Sequence, residues 1–322
     1  MNYIGIDISK LTFDVAIENE NRYTYYKFIN EATGFKQLID LLNQEEHWCI
    51  MEASGPYYLN LATYLEESKV KVSVVNPLVI RRFCQMRLTR AKTDKKDAMM
   101  IAEYGKAEKP QAWQPEAEYV LELKQMLAYV EQLDKSRTGF LRQLEAFGQN
   151  PVHSKSVQCN ARKMIISIEK QIKQMESKME DIIREHHEKM FEHVKSIPGI
   201  GRKTSLMLVA VTGAFTKFDN AKQLCSYVGL SPRIFESGTS VKGKGKICKM
   251  GMSRMRAKLY VCSWSAIKCN DACKALYDRI VAKGKPKMVA LIAVANKLLK
   301  QAFAMATKGV FYEKNYSPKA CF

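Results

Sequence analysis

The sequence lacks every arrangement of cysteine that marks a disulfide scaffold or a zinc site. Its nine cysteines are scattered along the chain and form no Cys-x-x-Cys pair. Cys269 and Cys273 lie four residues apart in a segment expected to be helical, and no histidines accompany them at zinc-binding spacing. An odd number of cysteines without a framework is typical of a reducing compartment. We therefore expect a cytoplasmic protein with free thiols.

Long apolar runs and a secretory leader are also missing. The first residues are expected to enter a β-strand directly, without the pattern of a signal peptide. No stretch approaches the ~20 consecutive apolar residues that a membrane-spanning helix needs. We therefore expect no membrane partner.

Acidic residues are scarce overall and absent from one long segment. The 322 residues include 51 Lys and Arg against 33 Asp and Glu, which gives a net charge of +18. Such an excess favours a polyanionic partner, although a basic enzyme without one is the alternative. Residues 238–270 contain no acid. Within them, the cations that we expect to hold a phosphate backbone are Lys242, Lys244, Lys246, Lys249, Arg254, Arg256 and Lys258.

The first hundred residues alternate between short apolar runs and helical spacing. Three β-strands are predicted first, then a helix and strand, a second helix and strand, and a helix that begins at Pro77. The predicted segments are 2–8, 12–18, 23–30, 31–43, 47–53 and 71–76, with the second helix around 58–64. The order βββαβαβα is that of the ribonuclease H-like fold.

Four acidic residues stand at the ends of these apolar runs. Asp7 lies on the first strand, Glu52 ends the fourth, and Asp94 and Asp97 share one face of the final helix. Asp is depleted in strands, and four carboxylates at one place would repel one another unless cations lay between them. Oxygen ligands suit Mg²⁺, with Mn²⁺ as a substitute. Two such ions can bind the attacking and the leaving oxygen when a phosphodiester is exchanged. We therefore expect a metal-dependent enzyme acting on nucleic acid.

The remainder of the chain is predicted to be helical. Residues 111–191 contain few prolines and glycines and carry coiled-coil spacing at Ile168, Ile172, Met175, Met179 and Ile182, which predicts a helical hairpin. Residues 192–322 open with Ile-Pro-Gly-Ile-Gly-Arg-Lys, the pattern of a helix-hairpin-helix element. Gly199, Gly201, Arg202 and Lys203 would there approach a phosphate or serve only packing. Three helices are predicted after residue 250. The expected domains are therefore 1–110, 111–191 and 192–322.

A loop rich in Gly, Ser and Pro precedes those last helices. Ser237 and Ser240 lie in it, beside the basic run. A serine hydroxyl attacks phosphorus only where a base, a metal or neighbouring cations stabilise its alkoxide. Taken alone, a loop serine before glycine is usually a turn residue.

Together these motifs resemble one family. The Gly-Ile-Asp start, the Asp94-x-x-Asp97 pair, the Ile-Pro-Gly-Ile-Gly hairpin and the Gly-Leu-x-Pro…Ser-Gly segment are similar to the DEDD transposases of bacterial insertion sequences, which include bridge-RNA-guided recombinases. The resemblance runs from Asp7 into the C-terminal third.

The resemblance implies a catalytic arrangement and a set of partners. A ribonuclease H-like domain would supply the acidic quartet, which maps onto Asp7, Glu52, Asp94 and Asp97, and a transposase domain would supply a serine, which maps onto Ser237. Glu236 departs from the small or polar neighbour expected there, so Ser240 stays an alternative. The implied partners are donor and target DNA, a structured guide RNA, and further copies of the chain in a dimer or tetramer.

Three other functions are compatible with parts of the sequence. A junction-resolving nuclease would use the same acids with water as the nucleophile and give Ser237 no role. A sugar-kinase or actin-like ATPase would use Gly5–Lys10 as a phosphate loop, but the later glycine-rich adenosine loop is missing. A catalytically silent nucleic-acid-binding protein would not need a complete quartet.

Overall fold

The computed structural model describes residues 2–19, 22–43, 46–89, 93–233, 236–237, 241–242, 246–248 and 250–314. For residue 233 and the strand residues between 236 and 246 the backbone alone is described. The chain divides into two compact units, Met1–Pro115 and Glu116–Phe322.

The first unit is built on a mixed five-stranded sheet with the strand order β3-β2-β1-β4-β5. β1 to β3 form an antiparallel meander, whereas β4 pairs in parallel with β1 and β5 pairs in parallel with β4. The strands are β1 (Asn2–Ile8), β2 (Thr12–Asn19), β3 (Arg22–Ile29), β4 (His47–Glu52) and β5 (Lys71–Val75). All five lie close to the predicted segments.

Four helices accompany this sheet. They are α1 (Ala32–Leu41), α2 (Leu59–Glu67), α3 (Pro77–Met86) and α4 (Asp94–Glu108). The predicted order ends in one helix, whereas the structure has α3 and α4 as separate helices. Each has its own start signal, because Asn76 accepts from the Leu78 amide at 2.9 Å before Pro77, and Thr93 accepts from the Lys96 amide at 3.3 Å.

The sheet of the first unit is covered on both faces. One face carries Phe13 and Val15, which are fully buried in a cluster that includes α1 and α2. The other face carries Ile50, which packs with Ile101 of α4. A mixed sheet with helices and the observed strand order is consistent with a ribonuclease H-like fold.

The second unit opens with two long antiparallel helices. These are α5 (Glu118–Gly148) and α6 (Lys155–Lys195), and their buried seam includes Leu123, Val130, Ile168, Ile172 and Met179. The hydrogen bond from Tyr129 to Gln171 and the ion pair of Arg137 with Glu169 fix the antiparallel direction. α6 is kinked at His187, whose backbone is non-helical.

The rest of the second unit is mostly helical. Its helices are α7 (Arg202–Thr212), α8 (Ala221–Val228), α9 (Ser253–Cys269), α10 (Asp271–Ala282) and α11 (Lys287–Lys308). The last three match the predicted helices. α11 is long and apolar enough to span a membrane by length and composition, which the sequence analysis did not anticipate, but Leu291, Val294 and Leu298 bury its apolar face in the core of this unit.

Two short antiparallel ladders lie between α8 and α9. β6 (Pro232–Arg233) pairs with β9 (Lys246–Ile247), and β7 (Glu236–Ser237) pairs with β8 (Val241–Lys242). The sequence predicted only a loop here. Each strand has two residues, so no period-2 pattern could develop.

Candidate active site

The first two carboxylates stand side by side at one end of the sheet. β1 and β4 are parallel, with Ile6 opposite Met51, so Asp7 and Glu52 are the next residues in register. Ile6 and Ile8 are buried on the opposite face, which leaves the carboxylate of Asp7 on the face that α4 covers. Ser54 donates a hydrogen bond of 3.2 Å to Glu52 and orients its carboxylate.

Gly5 lets α4 bring the other two carboxylates to the same place. A Cβ atom at Gly5 would lie 1.9 Å from the Ala98 carbonyl oxygen and 2.5 Å from the Ala102 amide nitrogen. The helix backbone therefore rests directly on β1, two residues before Asp7. Asp94 and Asp97 occupy the first turn of this helix, where its dipole favours negative charge.

The electrostatics of Asp7 show that the four acids share one field. Burial and the neighbouring carboxylates raise the pKa of Asp7 from 3.8 to about 6. Desolvation is the largest cause, and the charges of Asp97, Glu52 and Asp94 follow in that order. The structure thus brings the predicted quartet into one electrostatic neighbourhood.

A fifth carboxylate, which the sequence analysis missed, belongs to the same neighbourhood. Asp14 on β2 is the direct cross-strand partner of Asp7, and its charge also raises the pKa of Asp7. Asp14 forms an ion pair with Lys27 on β3 at 3.2 Å. The predicted meander could have revealed Asp14. β2 must pair with β1 in it, and Asp14 is the second residue after Thr12, where β2 begins.

The four predicted ligands suit a hard divalent cation in kind, because all are carboxylates. Within the described part of the chain, however, no three Asp, Glu, His or Cys side chains lie close enough together to hold an ion as they stand. The Asp94 side chain is 70% exposed and so has room to change its rotamer. The donor chemistry and the shared field fit a metal, and ligation requires side-chain rearrangement.

The predicted serine lies in the second unit. Ser237 is on β7, where its backbone pairs with Val241, and Glu236 pairs with Lys242. Ser240, Lys244 and Lys249 lie outside the described residues, and Lys242 and Lys246 are placed by backbone alone.

Two of the predicted DNA-binding arginines in α9 have partners within the protein. Arg254 forms an ion pair with Glu131 of α5. Arg256 donates to the Val228 carbonyl oxygen at 2.8 Å and thereby ties α9 to the end of α8. Lys258 is exposed. Lys258 therefore retains the accessibility that a phosphate contact needs, whereas Arg256 has a structural role.

The glycine-rich turn between α6 and α7 is packed against α9. Gly199 has a φ of +100°, and a Cβ atom there would lie 2.6 Å from the Cβ of Ala266. Gly201 is the N-cap of α7 and has open space where a Cβ would stand. Of the two glycines, only Gly199 is required by packing.

The two cations after this turn face acids on α6. Lys203 lies 2.8 Å from a carboxylate oxygen of Glu176, and Arg202 forms an ion pair with Glu180. Arg202 also donates to the Glu176 carbonyl oxygen at 3.2 Å. Their charge is therefore partly neutralised within the protein. These ion pairs are not evident from the sequence, because the acids lie more than twenty residues upstream.

Comparison with known proteins identifies the family. Residues 4–147 match the IS110-type DEDD transposase model, described as a transposase, and residues 191–278 match the model of the transposase IS116/IS110/IS902 family. The first range contains all four predicted acids and the second contains Ser237.

Full-length relatives agree with these matches. Pilin gene-inverting proteins of Moraxella lacunata and Moraxella bovis are 34% and 33% identical, and each alignment covers 97% of this chain and 98% of the relative. The transposase for insertion sequence element IS1111A of Coxiella burnetii is 22% identical over 96% of this chain and 90% of its own. The chain therefore belongs to the IS110 family of DEDD transposases, enzymes of DNA transposition and recombination.

Proposed function

We propose that this transposase cuts and rejoins DNA strands with a divalent metal, Mg²⁺ or Mn²⁺, and a serine nucleophile. The observation that carries the metal proposal is the pKa of Asp7, which burial and four neighbouring carboxylates raise to about 6. A carboxylate in such a field is stabilised in its charged form by a bound cation. Asp7, Glu52, Asp94 and Asp97 would hold the metal, which would neutralise charge on the phosphate and polarise its oxygen.

In the proposed reaction Ser237 provides the attacking oxygen. Its hydroxyl loses a proton, the oxygen bonds to phosphorus, and the bond from phosphorus to a DNA oxygen breaks to release a DNA hydroxyl. Attack by a second DNA hydroxyl on the phosphoserine then restores the serine and seals the new strand. Because the ester conserves the bond, joining needs no nucleotide cofactor.

The position of Ser237 supports this role in two ways. It lies inside the range matched by the second family model, and the residue beside it, Glu236, has Lys242 as its direct cross-strand partner. The acidic neighbour that departs from the expected pattern is thus placed opposite a cation. A run of lysines around the serine would stabilise charge that develops on the phosphate.

We further propose that the enzyme acts in the cytoplasm with a structured guide RNA that pairs with donor and target DNA. The +18 charge supports a nucleic-acid partner, and the family resemblance supports the RNA. Residues 1–110, 111–191 and 192–322 would serve as catalytic, spacer and serine-bearing parts. Since the acids and the serine lie in different parts, we propose a homodimer or tetramer with composite sites.

A water-using nuclease is the second candidate function. The observation that favours it is that all four acids belong to one compact unit, which could cleave DNA without the serine. This enzyme would release ends with free hydroxyl and phosphate groups, and Ser237 would be dispensable.

The two functions separate in a strand-exchange assay with matched variants. We expect Ser237→Ala and Asp97→Asn to abolish exchange, with DNA binding retained because neither side chain supplies a cation to the backbone. Ser226→Ala, on α8 of the same unit, is the control and should exchange normally. Exchange by Ser237→Ala at the wild-type rate would overturn the serine proposal. Exchange by Asp97→Asn would remove Asp97 from the site.

A further inference from the structure

Three charged residues form a row across the strands beside the acidic quartet. Asp7 on β1 pairs with Asp14 on β2, and Asp14 pairs with Lys27 on β3. Direct cross-strand partners lie on the same face of a sheet, about 5 Å apart at Cβ. The Lys27 ammonium is 3.2 Å from a carboxylate oxygen of Asp14 and 3.9 Å from one of Asp94.

The middle residue of this row needs a counter-charge. The Asp14 side chain is only 14% exposed and lies directly opposite Asp7, and like charges in that arrangement are destabilising. Lys27, on the far side of Asp14, balances that charge. Its side chain is 55% exposed, and its ammonium also lies near Asp94 in the first turn of α4.

Lys27 ends a series of contacts between β3 and α4. Tyr25 donates to the Met99 sulfur at 3.6 Å, and Tyr23 donates to Glu103 at 2.7 Å. The strand residues 27, 25 and 23 meet helix residues of increasing number, so strand and helix run in opposite directions. This series fixes which end of α4 lies over Lys27, and it is the end that carries Asp94.

We propose that Lys27 is a positioning residue of the acidic centre, which keeps Asp14 from acting as a fifth metal ligand and holds Asp94 on the β3 side. The inference rests on the proposed metal-dependent function. Without the ammonium, Asp14 is a partly buried carboxylate adjacent to Asp7 and open to a divalent cation. Asp14 would then help the quartet to hold the metal, which would tighten metal binding and slow strand exchange.

The chain offers a matched control at the other end of α4. Lys106 forms an ion pair with Glu18 at 3.0 Å, its side chain is also 55% exposed, and it too links α4 to β2. Lys106→Met removes the same kind of ion pair far from the quartet. It reports any general loosening of α4.

The test uses Mn²⁺ titrated into the full-length protein by calorimetry, together with strand exchange. Loss of one positive charge several ångströms from a divalent ion should tighten Mn²⁺ binding by Lys27→Met about ten-fold, because the ammonium repels the ion. Exchange by the same variant should fall at least about ten-fold. Lys27→Met/Asp14→Asn restores the charge balance and should return the Mn²⁺ affinity toward wild type, whereas Lys106→Met should change neither Mn²⁺ affinity nor exchange.

Four results would count against one or other of these proposals. Lys27→Met that binds Mn²⁺ with wild-type affinity, or a double variant that binds Mn²⁺ as tightly as Lys27→Met, would overturn the role of Lys27 and leave the metal function standing. Equal losses of strand exchange in Lys27→Met and Lys106→Met would also overturn the role of Lys27, because they would indicate a general effect on α4. Wild-type protein that binds no Mn²⁺ would instead contradict the proposed metal function itself.

Discussion

Asp7 should make the first unit less stable as pH rises, and Asp7→Asn should remove that dependence. Because burial and neighbouring carboxylates raise the pKa of Asp7 from 3.8 to about 6, the native state binds a proton more tightly than the unfolded state. Stability therefore falls as pH rises through the interval from about 4 to about 6. Asn is neutral and close to Asp in size, so the Asp7→Asn variant should not lose stability over this pH interval.

The magnitude follows from the same pKa values. A change from 3.8 to about 6 corresponds to about 3 kcal/mol at most, at 1.36 kcal/mol for each pH unit. Asp7 is only partly buried, and solvent screening reduces the expected gain of Asp7→Asn to about 1–2 kcal/mol at pH 7.5. At pH 4 the two proteins should differ by less than about 0.5 kcal/mol.

The assay is urea unfolding in EDTA from pH 4 to pH 8, in a Trp264→Phe background. Trp48 and Trp113 then report on the first unit alone. Asp40→Asn on the exposed side of α1 is the control and should change stability by less than about 0.5 kcal/mol. A gain for Asp7→Asn that is the same at every pH, or no gain at pH 7.5, would refute the proposed electrostatic coupling.

Glycine substitutions test the packing in both units. Gly5→Ala should push α4 away from β1, destabilise the first unit by at least about 1–3 kcal/mol and abolish exchange. Gly139→Ala, in open space within α5, should stabilise the second unit by about 0.5–1 kcal/mol. Urea unfolding checks both changes in stability. Gly199→Ser should destabilise the second unit in thermal unfolding, since it forces a side chain against α9 at a positive φ, but Gly201→Ser should not. Loss of DNA affinity in a folded Gly201→Ser variant would instead support a phosphate contact at this turn.

The acidic quartet was accessible to sequence analysis because each member breaks a local pattern. Asp7 interrupts an apolar strand, Glu52 precedes a Gly-Pro turn, and Asp94 and Asp97 have helical spacing. Parallel pairing of β1 and β4 then brings the carboxylates of Asp7 and Glu52 to the same end of the sheet. Their shared field follows from topology.

Other parts of the site depend on register and on distant partners, which no local pattern encodes. The Asp14–Lys27 ion pair exists because β2 and β3 pair with Asp14 opposite Lys27, and a shift of one residue would separate them. The turn cations Arg202 and Lys203 look available for phosphate in the sequence, but the fold places them beside Glu180 and Glu176.

The serine mechanism is tested most directly by identifying the residue that becomes attached to DNA. Strand exchange with wild-type protein is stopped with denaturant, the protein is digested, and the DNA-linked peptide is sequenced by mass spectrometry. The expected result is a phosphodiester link at Ser237, absent from Ser237→Ala. A link at Ser240 would correct the assignment by three residues. Active exchange without any protein–DNA adduct would contradict the serine mechanism and favour the water-using nuclease.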